Sequence, residues 1–71
     1  MKMEYRFEEY ITVEYGSGTY DIILNKYIYY ETGQKVYECY PLGERKDKKE
    51  AIEYAMNQSK KHNIKYKGVN L

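Results

Sequence analysis

The apolar residues on the two sides of Gly16-Ser17-Gly18 are arranged symmetrically, and this symmetry constrains the fold more than any other feature. In an antiparallel hairpin, directly opposed residues share one face of the sheet. If Tyr15 faces Tyr20, the same register pairs apolar or aromatic residues along both strands, and places Glu9 opposite Lys26. The apolar pairs are Val13 with Ile22, Ile11 with Leu24, Phe7 with Ile28, and Tyr5 with Tyr30. The sequence therefore predicts a long β-hairpin closed by the glycine-containing turn.

A second turn, Glu31-Thr32-Gly33, adds a third strand. Three-residue hairpin loops favour glycine at their left-handed third position. The register that follows places Val36 opposite Ile28 and Tyr40 opposite Leu24, while Glu38 joins Glu9 and Lys26 in one charged row. The predicted strands run over about Met3–Tyr15 and Tyr20–Tyr30, and Pro41-Leu42-Gly43 ends the third.

A helix is predicted after the third strand. Asp47 is a favoured N-cap residue, Glu50 completes a capping box, and the helix runs to about His62. The sequence thus predicts one α+β domain over residues 1–71: a three-stranded antiparallel meander on one C-terminal helix, with a short fourth strand at Ile64-Lys65-Tyr66 as an option. Helical spacing predicts a buried stripe of Ala51, Ile52, Ala55, Met56 and Ser59.

The predicted helix is shorter than the sheet. About 16 residues of helix span ~24 Å, whereas strands of 11–13 residues span roughly 36–43 Å. We therefore expect the charged row to mark where the helix cover ends, with the main core on the Gly16 side of it: Ile11, Val13, Ile22, Leu24 and Tyr40. Beyond it lies a second apolar patch, which the C-terminal segment, a second copy or a partner would cover: Tyr5, Phe7, Ile28, Tyr30 and Val36. A homodimer through Tyr5, Phe7, Ile28 and Tyr30 is one alternative.

No grouping of residues predicts catalysis, a metal site or a cofactor. The chain has one histidine, His62, and one cysteine, Cys39, which is expected to be a partly buried apolar residue. Glu9 and Glu38 are predicted to lie roughly 10 Å apart with Lys26 between them, as in an ion ladder rather than an acid–base pair. We expect a non-enzymatic protein without disulfides. The charged start and the lack of a long apolar run predict a cytoplasmic location with no membrane association.

The charges divide unevenly along the chain. Residues 1–43 carry four Lys/Arg against seven Asp/Glu, whereas residues 44–71 carry eight against four. A solvated helix face is the ordinary interpretation of the basic half, and a nucleic-acid phosphate contact is the alternative. The residues concerned are expected to surround the helix: Arg45, Lys46, Lys48, Lys49, Lys60, Lys61, Lys65 and Lys67.

The sheet face turned away from the helix carries an unusual number of tyrosines. The predicted registers give the rows Arg6–Tyr29–Lys35, Glu8–Tyr27–Tyr37 and Tyr10–Asn25–Cys39. Tyrosine offers a large contact area at low entropic cost and is therefore common at binding surfaces. The alternative is that these rings favour β-structure and cover one another.

Two short segments resemble a known family. Tyr29-Tyr30-Glu31-Thr32-Gly33-Gln34-Lys35 is similar to the aromatic–turn–Gly-Lys hairpin of the arm-type DNA-binding domains of tyrosine integrases, and Asp47-Lys48-Lys49-Glu50-Ala51 resembles the segment that opens their helix. The resemblance covers about Tyr27–Lys61. It implies that the sheet face would enter the DNA major groove with Arg6, Lys35, Tyr27, Tyr29 and Tyr37. Five acidic residues fall on the same predicted face and oppose phosphate binding: Glu4, Glu8, Glu14, Asp21 and Glu31.

The hypothesis that follows is a small protein-binding module. Its size and composition suit an accessory or inhibitor protein of a phage or mobile element. A tyrosine-rich face with an acidic rim would dock on a larger partner, such as a nucleic-acid enzyme. The predicted contact residues are Tyr10, Tyr27, Tyr29, Tyr37, Glu8, Glu31, Arg6 and Lys35. DNA binding through the sheet face or the basic helix side is the alternative.

Overall fold

The fold was examined in a computed structural model that describes residues 4–70, with side chains from Arg6 onward. Three antiparallel strands, one helix and a fourth strand parallel to β1 make up an α+β fold, which confirms the predicted class. The sheet order is β3-β2-β1-β4. The elements are β1 (Glu4–Gly16), β2 (Thr19–Tyr30), β3 (Lys35–Arg45), α1 (Lys48–His62) and β4 (Lys65–Asn70). Met3 and Leu71 lie outside the described residues.

The first hairpin has the predicted register. Tyr15 faces Tyr20, and the pairing continues to Phe7 opposite Ile28. Ser17 and Gly18 both have positive φ, 53° and 83°, as a two-residue hairpin turn requires. The predicted pair of Tyr5 with Tyr30 is wrong, because an irregularity between Glu4 and Arg6 brings Glu4 opposite Tyr30 instead.

The second hairpin also has the predicted register, but its third strand is longer than predicted. Gly33 has φ 90°, and its N–H donates to the Tyr30 carbonyl at 2.9 Å, which closes the turn. Pro41 does not end β3. It is opposite Ile23 while Gly43 is opposite Ile22, so Leu42 is the extra residue of a bulge. Proline is tolerated here because β3 is an edge strand and a bulge interrupts its ladder.

The helix begins and ends at the predicted residues. The Asp47 carboxylate accepts from the Glu50 N–H at 3.1 Å, which satisfies one of the free donors of the first turn. At the other end Asn63 adopts a left-handed conformation, φ 56°, and its N–H bonds back to the carbonyls of the last turn.

The buried stripe of α1 differs in part from the prediction. Ala51 and Ala55 are fully buried, whereas Met56 is 54% exposed. Tyr54 packs against the core in its place, and its hydroxyl donates to the Leu42 carbonyl at 2.9 Å. Because Ala51 and Ala55 are small, the helix approaches the sheet closely. Tyr54 then covers the edge of the core next to β3.

The core is small and lies between α1 and the middle strands. Ile11, Val13 and Ile22 are fully buried, and Leu24 packs at their edge with Ile64, Tyr66 and Val69 among others. Tyr40 was expected in this core but is 45% exposed, because it stands on the edge strand, away from the buried residues of β1 and β2.

The helix covers only one half of the sheet. It starts just after Arg45, which is opposite Tyr20, and it leads into Lys65, which is opposite Tyr10. Residues 4–9, 26–30 and 35–38 therefore extend beyond both α1 and β4. We call this three-stranded extension the β arm. It accounts for the elongated dimensions of 45 × 25 × 15 Å.

Candidate binding face

The face opposite the helix carries the three predicted rows. Tyr29 lies between Arg6 and Lys35, Tyr27 between Glu8 and Tyr37, and Asn25 between Tyr10 and Cys39. The strand registers alone bring these residues together, since alternate residues of each strand point to the same side. We call this surface the tyrosine face. Its members on β1, β2 and β3 are Arg6, Glu8, Tyr10, Asn25, Tyr27, Tyr29, Lys35, Tyr37 and Cys39.

Three of the rings form a continuous aromatic strip across the sheet. The Tyr10 and Tyr27 ring centroids are 6.0 Å apart with nearly parallel planes, and the Tyr27 and Tyr37 centroids are 4.9 Å apart. Tyr37 is 49% exposed, while Tyr10 and Tyr27 are half-buried. The rings thus cover one another in part and still present a contiguous surface to solvent. The ring contacts agree with the second interpretation of the sequence, mutual covering, while the binding surface stays a prediction.

Asn25 ties the strip to the sheet beneath it. The residue is only 3% exposed. Its amide group donates to the Thr12 hydroxyl at 2.9 Å and to the Tyr10 carbonyl at 3.4 Å, and its carbonyl oxygen accepts from the Tyr37 hydroxyl at 2.5 Å. A buried amide with both ends satisfied fixes the orientation of its neighbours, because a shift would leave polar atoms unpaired.

Cations lie against the tyrosine rings. The Arg6 guanidinium is 4.5 Å from the Tyr29 ring centroid, and the Lys35 ammonium is 4.9 Å from that of Tyr27. The Tyr29 hydroxyl also donates to the Glu8 carboxylate at 3.1 Å. Cation–π contacts at exposed sites are worth about 0.5–1 kcal/mol each, so they orient these side chains while leaving them free to exchange for a partner's groups.

The surroundings of Tyr10 and Tyr37 suppress the ionisation of these two tyrosines. The hydrogen bond to Tyr27 and partial burial raise the pKa of Tyr10 to about 12. Burial of the hydroxyl near Asn25 likewise raises the pKa of Tyr37, with smaller contributions from Cys39 and Tyr27. These phenols therefore stay neutral hydrogen-bonding groups at any physiological pH.

Two predicted helix-side cations belong to the tyrosine face instead. Lys67 places its ammonium 4.3 Å from the Tyr10 ring centroid, because β4 pairs with β1 and has an irregularity at this point. Lys65 lines the same region. A depression of about 420 Å³ opens there, lined by Glu8, Glu9, Tyr10, Tyr27, Tyr29, Lys65 and Lys67.

The charges on the tyrosine side of the sheet are therefore segregated. Cations predominate at the arm half, where Arg6, Lys35, Lys65 and Lys67 surround the rings together with the carboxylate of Glu8. Carboxylates gather at the opposite end, where Asp21 is opposite both Glu14 and Glu44. Glu31, which was expected at the rim, is an exposed residue of the turn at the tip of the arm.

The remaining predicted cations do not form one surface. Arg45, Lys46, Lys48 and Lys49 are exposed near the start of α1, and Arg45 stacks on the Tyr54 ring at 4.4 Å. Lys60 and Lys61 are exposed in the last turn. A helix of 15 residues separates the two groups by ~20 Å.

The predicted charged row forms, but two of its side chains contact aromatic residues. The Glu9–Lys26–Glu38 row is in register, yet Lys26 places its ammonium 4.7 Å from the Phe7 ring centroid and Glu38 accepts from the Tyr40 hydroxyl at 2.6 Å. Cys39 is exposed rather than partly buried, because it stands on the edge strand.

Residues 4–70 contain neither a metal-binding cluster nor a membrane-spanning helix. This part of the chain contains no group of three or more His, Cys, Asp or Glu residues placed to hold a metal ion. It also contains no helix with the length and apolar character that crossing a membrane requires.

Comparison of the chain with protein-family models, with curated proteins and with solved structures finds no match. Function must therefore be argued from the tyrosine face itself. Sequence reasoning missed two of its parts, the anchoring role of Asn25 and the contribution of Lys65 and Lys67. The polar Asn25 in the middle of an apolar strand was the available signal for the first. The second depends on how β4 joins the sheet.

Proposed function

We propose that this protein is a small non-enzymatic binding module that docks its tyrosine face on a larger protein. The observation that carries the proposal is the aromatic strip of Tyr10, Tyr27 and Tyr37, anchored from below by Asn25. A half-exposed strip with fixed rings gives contact area at little entropic cost on binding, which is the property of interface hot spots.

The segregated charges suit the docking of a protein. A surface with cations at one end and carboxylates at the other favours one orientation of a partner that carries the complementary pattern. A nucleic-acid enzyme, with basic and acidic regions of its own, fits this description. An accessory or inhibitor protein of a phage or mobile element is the biological role that we propose, acting by blocking a surface of the partner.

The test compares two tyrosines of β3 whose side chains are similarly exposed but lie on opposite faces of the sheet. Tyr37 is 49% exposed on the tyrosine face, and Tyr40 is 45% exposed on the helix side. With a photo-crosslinking residue placed in the exposed turn at Thr32, the chain should label one host protein. Tyr37→Ala, and more strongly Tyr27→Ala with Tyr37→Ala, should abolish this labelling, whereas Tyr40→Ala should preserve it.

Circular dichroism and urea unfolding of each variant check that the fold is retained. Equal labelling by the Tyr37→Ala and Tyr40→Ala variants would show that the tyrosine face is not the interface.

Nucleic-acid binding is the second candidate. It is favoured by the position of Lys65 and Lys67 beside the tyrosine rings. Four cations around aromatic groups match the chemistry of single-strand or duplex contacts. Fluorescence anisotropy with labelled oligonucleotides at two salt concentrations tests this. A salt-dependent affinity that falls in a Lys65→Ala, Lys67→Ala variant would support it, and no binding at low salt would exclude it.

A further inference from the structure

The helix-side face of the β arm has an apolar surface that residues 4–70 leave partly open. Phe7 is 49% exposed on this face, although it is directly opposite the buried Ile28. Val36 continues the apolar row on β3. The Lys26 ammonium lies 4.7 Å from the Phe7 ring centroid. An exposed aromatic ring in an apolar row commonly marks an interface.

The occupant that fits this surface is a second copy of the chain. The helix is about 10–12 Å thick with its side chains, and stacked sheets lie about 10 Å apart. A β arm stacked on this face would therefore occupy the same layer as the helix of the first copy and continue it. The outer surface of α1 stands above the face of the β arm by about the thickness of one further sheet. A second β arm therefore fits in this space beside α1.

The charges at the two ends of that space are complementary. The exposed last turn of α1 faces the base of the arm and carries Lys60, Lys61 and His62. The tip of the arm carries the exposed Glu31. If two arms stack in opposite directions, the tip of each reaches the helix end of the other, and Glu31 then lies near the cations of the last turn. A two-fold axis produces this contact twice.

We infer that the protein forms a two-fold dimer in which the β arms stack through Phe7 and Val36, with Glu31 of each tip near Lys60 and Lys61 of the other copy. The tyrosine faces then remain outward, one on each side of the dimer. This inference is independent of the proposed function, which concerns the opposite surface of the sheet.

The size of the arm sets the expected strength. Its strands have four to six residues, so its face measures at most ~20 Å by ~14 Å, well below the roughly 800 Å² per partner of a standard interface. We therefore expect a weak, concentration-dependent dimer, monomeric at micromolar and dimeric at millimolar concentration.

Sedimentation equilibrium over this concentration range tests the inference. Phe7→Lys should weaken the dimer by at least about tenfold, as the loss of a central apolar contact does. Met56 is the matched control, because it is 54% exposed on the helix, outside the arm. Met56→Lys should leave the dimer unchanged. A monomer at millimolar concentration, or equal effects of the two substitutions, would overturn the inference.

A charge exchange tests the orientation of the arms. Glu31→Lys should weaken the dimer, and Glu31→Lys combined with Lys61→Glu should restore it, since the exchanged charges meet again. Both positions are exposed, so neither change should unfold the chain, and urea unfolding checks this. A double variant as weak as Glu31→Lys alone would contradict the stacking in opposite directions.

Discussion

At the scale of single residues, the tyrosine face depends on one buried amide. Asn25 is a polar residue in the middle of β2, which is rich in apolar residues. Its side chain forms hydrogen bonds with Thr12, Tyr10 and Tyr37. A paired buried polar group contributes little net stability. Its removal leaves its partners without hydrogen bonds, which lowers the free energy of unfolding. A polar residue in an apolar strand therefore positions Tyr37, which is 49% exposed on the tyrosine face.

Replacing Asn25 should cost both stability and alignment. Asn25→Ala leaves the buried Thr12 hydroxyl without its partner and frees Tyr37, and we expect a loss of about 1–3 kcal/mol in the free energy of unfolding. Urea denaturation measures this. The exposed Asn57, replaced by Ala, is the control and should change stability little. A change in Asn25→Ala as small as that of the control would contradict the anchoring role.

Tyr10 should make stability fall at high pH. Its pKa rises from 10.0 in the unfolded chain to about 12 in the fold. The folded state therefore holds this proton more tightly, so the contribution is fully present below pH 10 and is lost as the pH rises through about 12. Tyr10→Phe should flatten the decline of the unfolding free energy in this range. An unchanged pH profile in Tyr10→Phe would show that other groups cause the decline.

At the scale of elements, the bulge in β3 determines how the helix docks. The extra residue Leu42 brings Gly43 under the ring of Tyr54, and a Cβ atom at Gly43 would be 3.0–3.1 Å from three atoms of that ring. The Tyr54 hydroxyl also donates to the Leu42 carbonyl. The helix thus packs on a glycine and a carbonyl of the bulged segment.

Gly43→Ala should weaken the packing of α1 against β3. The added methyl group needs space that the ring occupies, and overpacking of this kind costs about 1–3 kcal/mol. Gly16 is the control, because a Cβ there meets no atom within 4 Å and its φ is not positive. Gly16→Ala should be neutral or slightly stabilising, since it restricts the unfolded chain. Thermal unfolding of both variants compares them, and equal melting temperatures would contradict this account of the docking.

At the scale of the whole molecule, the shape follows from a mismatch in length. Strands of 13, 12 and 11 residues are covered by a helix of 15 residues, which is roughly half as long as the sheet. The covered half contains the core, and the uncovered half is the β arm. The molecule therefore has two different exposed surfaces, the tyrosine face on one side and the helix-side face of the β arm on the other.

The sequence by itself determined the hairpin registers and the helix bounds. Both follow from local rules: glycine at left-handed turn positions, a period of two in strands, and Asp47 as a cap. These rules also predicted the three rows of the tyrosine face, because a register fixed at one turn extends along the whole strand. The error at Tyr5 arose where an irregularity broke that continuity.

Tertiary structure alone decided which residues are covered and which cations join the tyrosines. Tyr40 and Met56 have apolar patterns that suit a core, but the position of the helix over the middle strands leaves both exposed. Lys65 and Lys67 reached the tyrosine face because β4 pairs in parallel with β1, a contact between residues more than fifty positions apart. Periodicity assigns a side chain to one face of a strand or helix. Burial depends on where elements distant in the sequence pack, and their packing is set only in the folded tertiary structure.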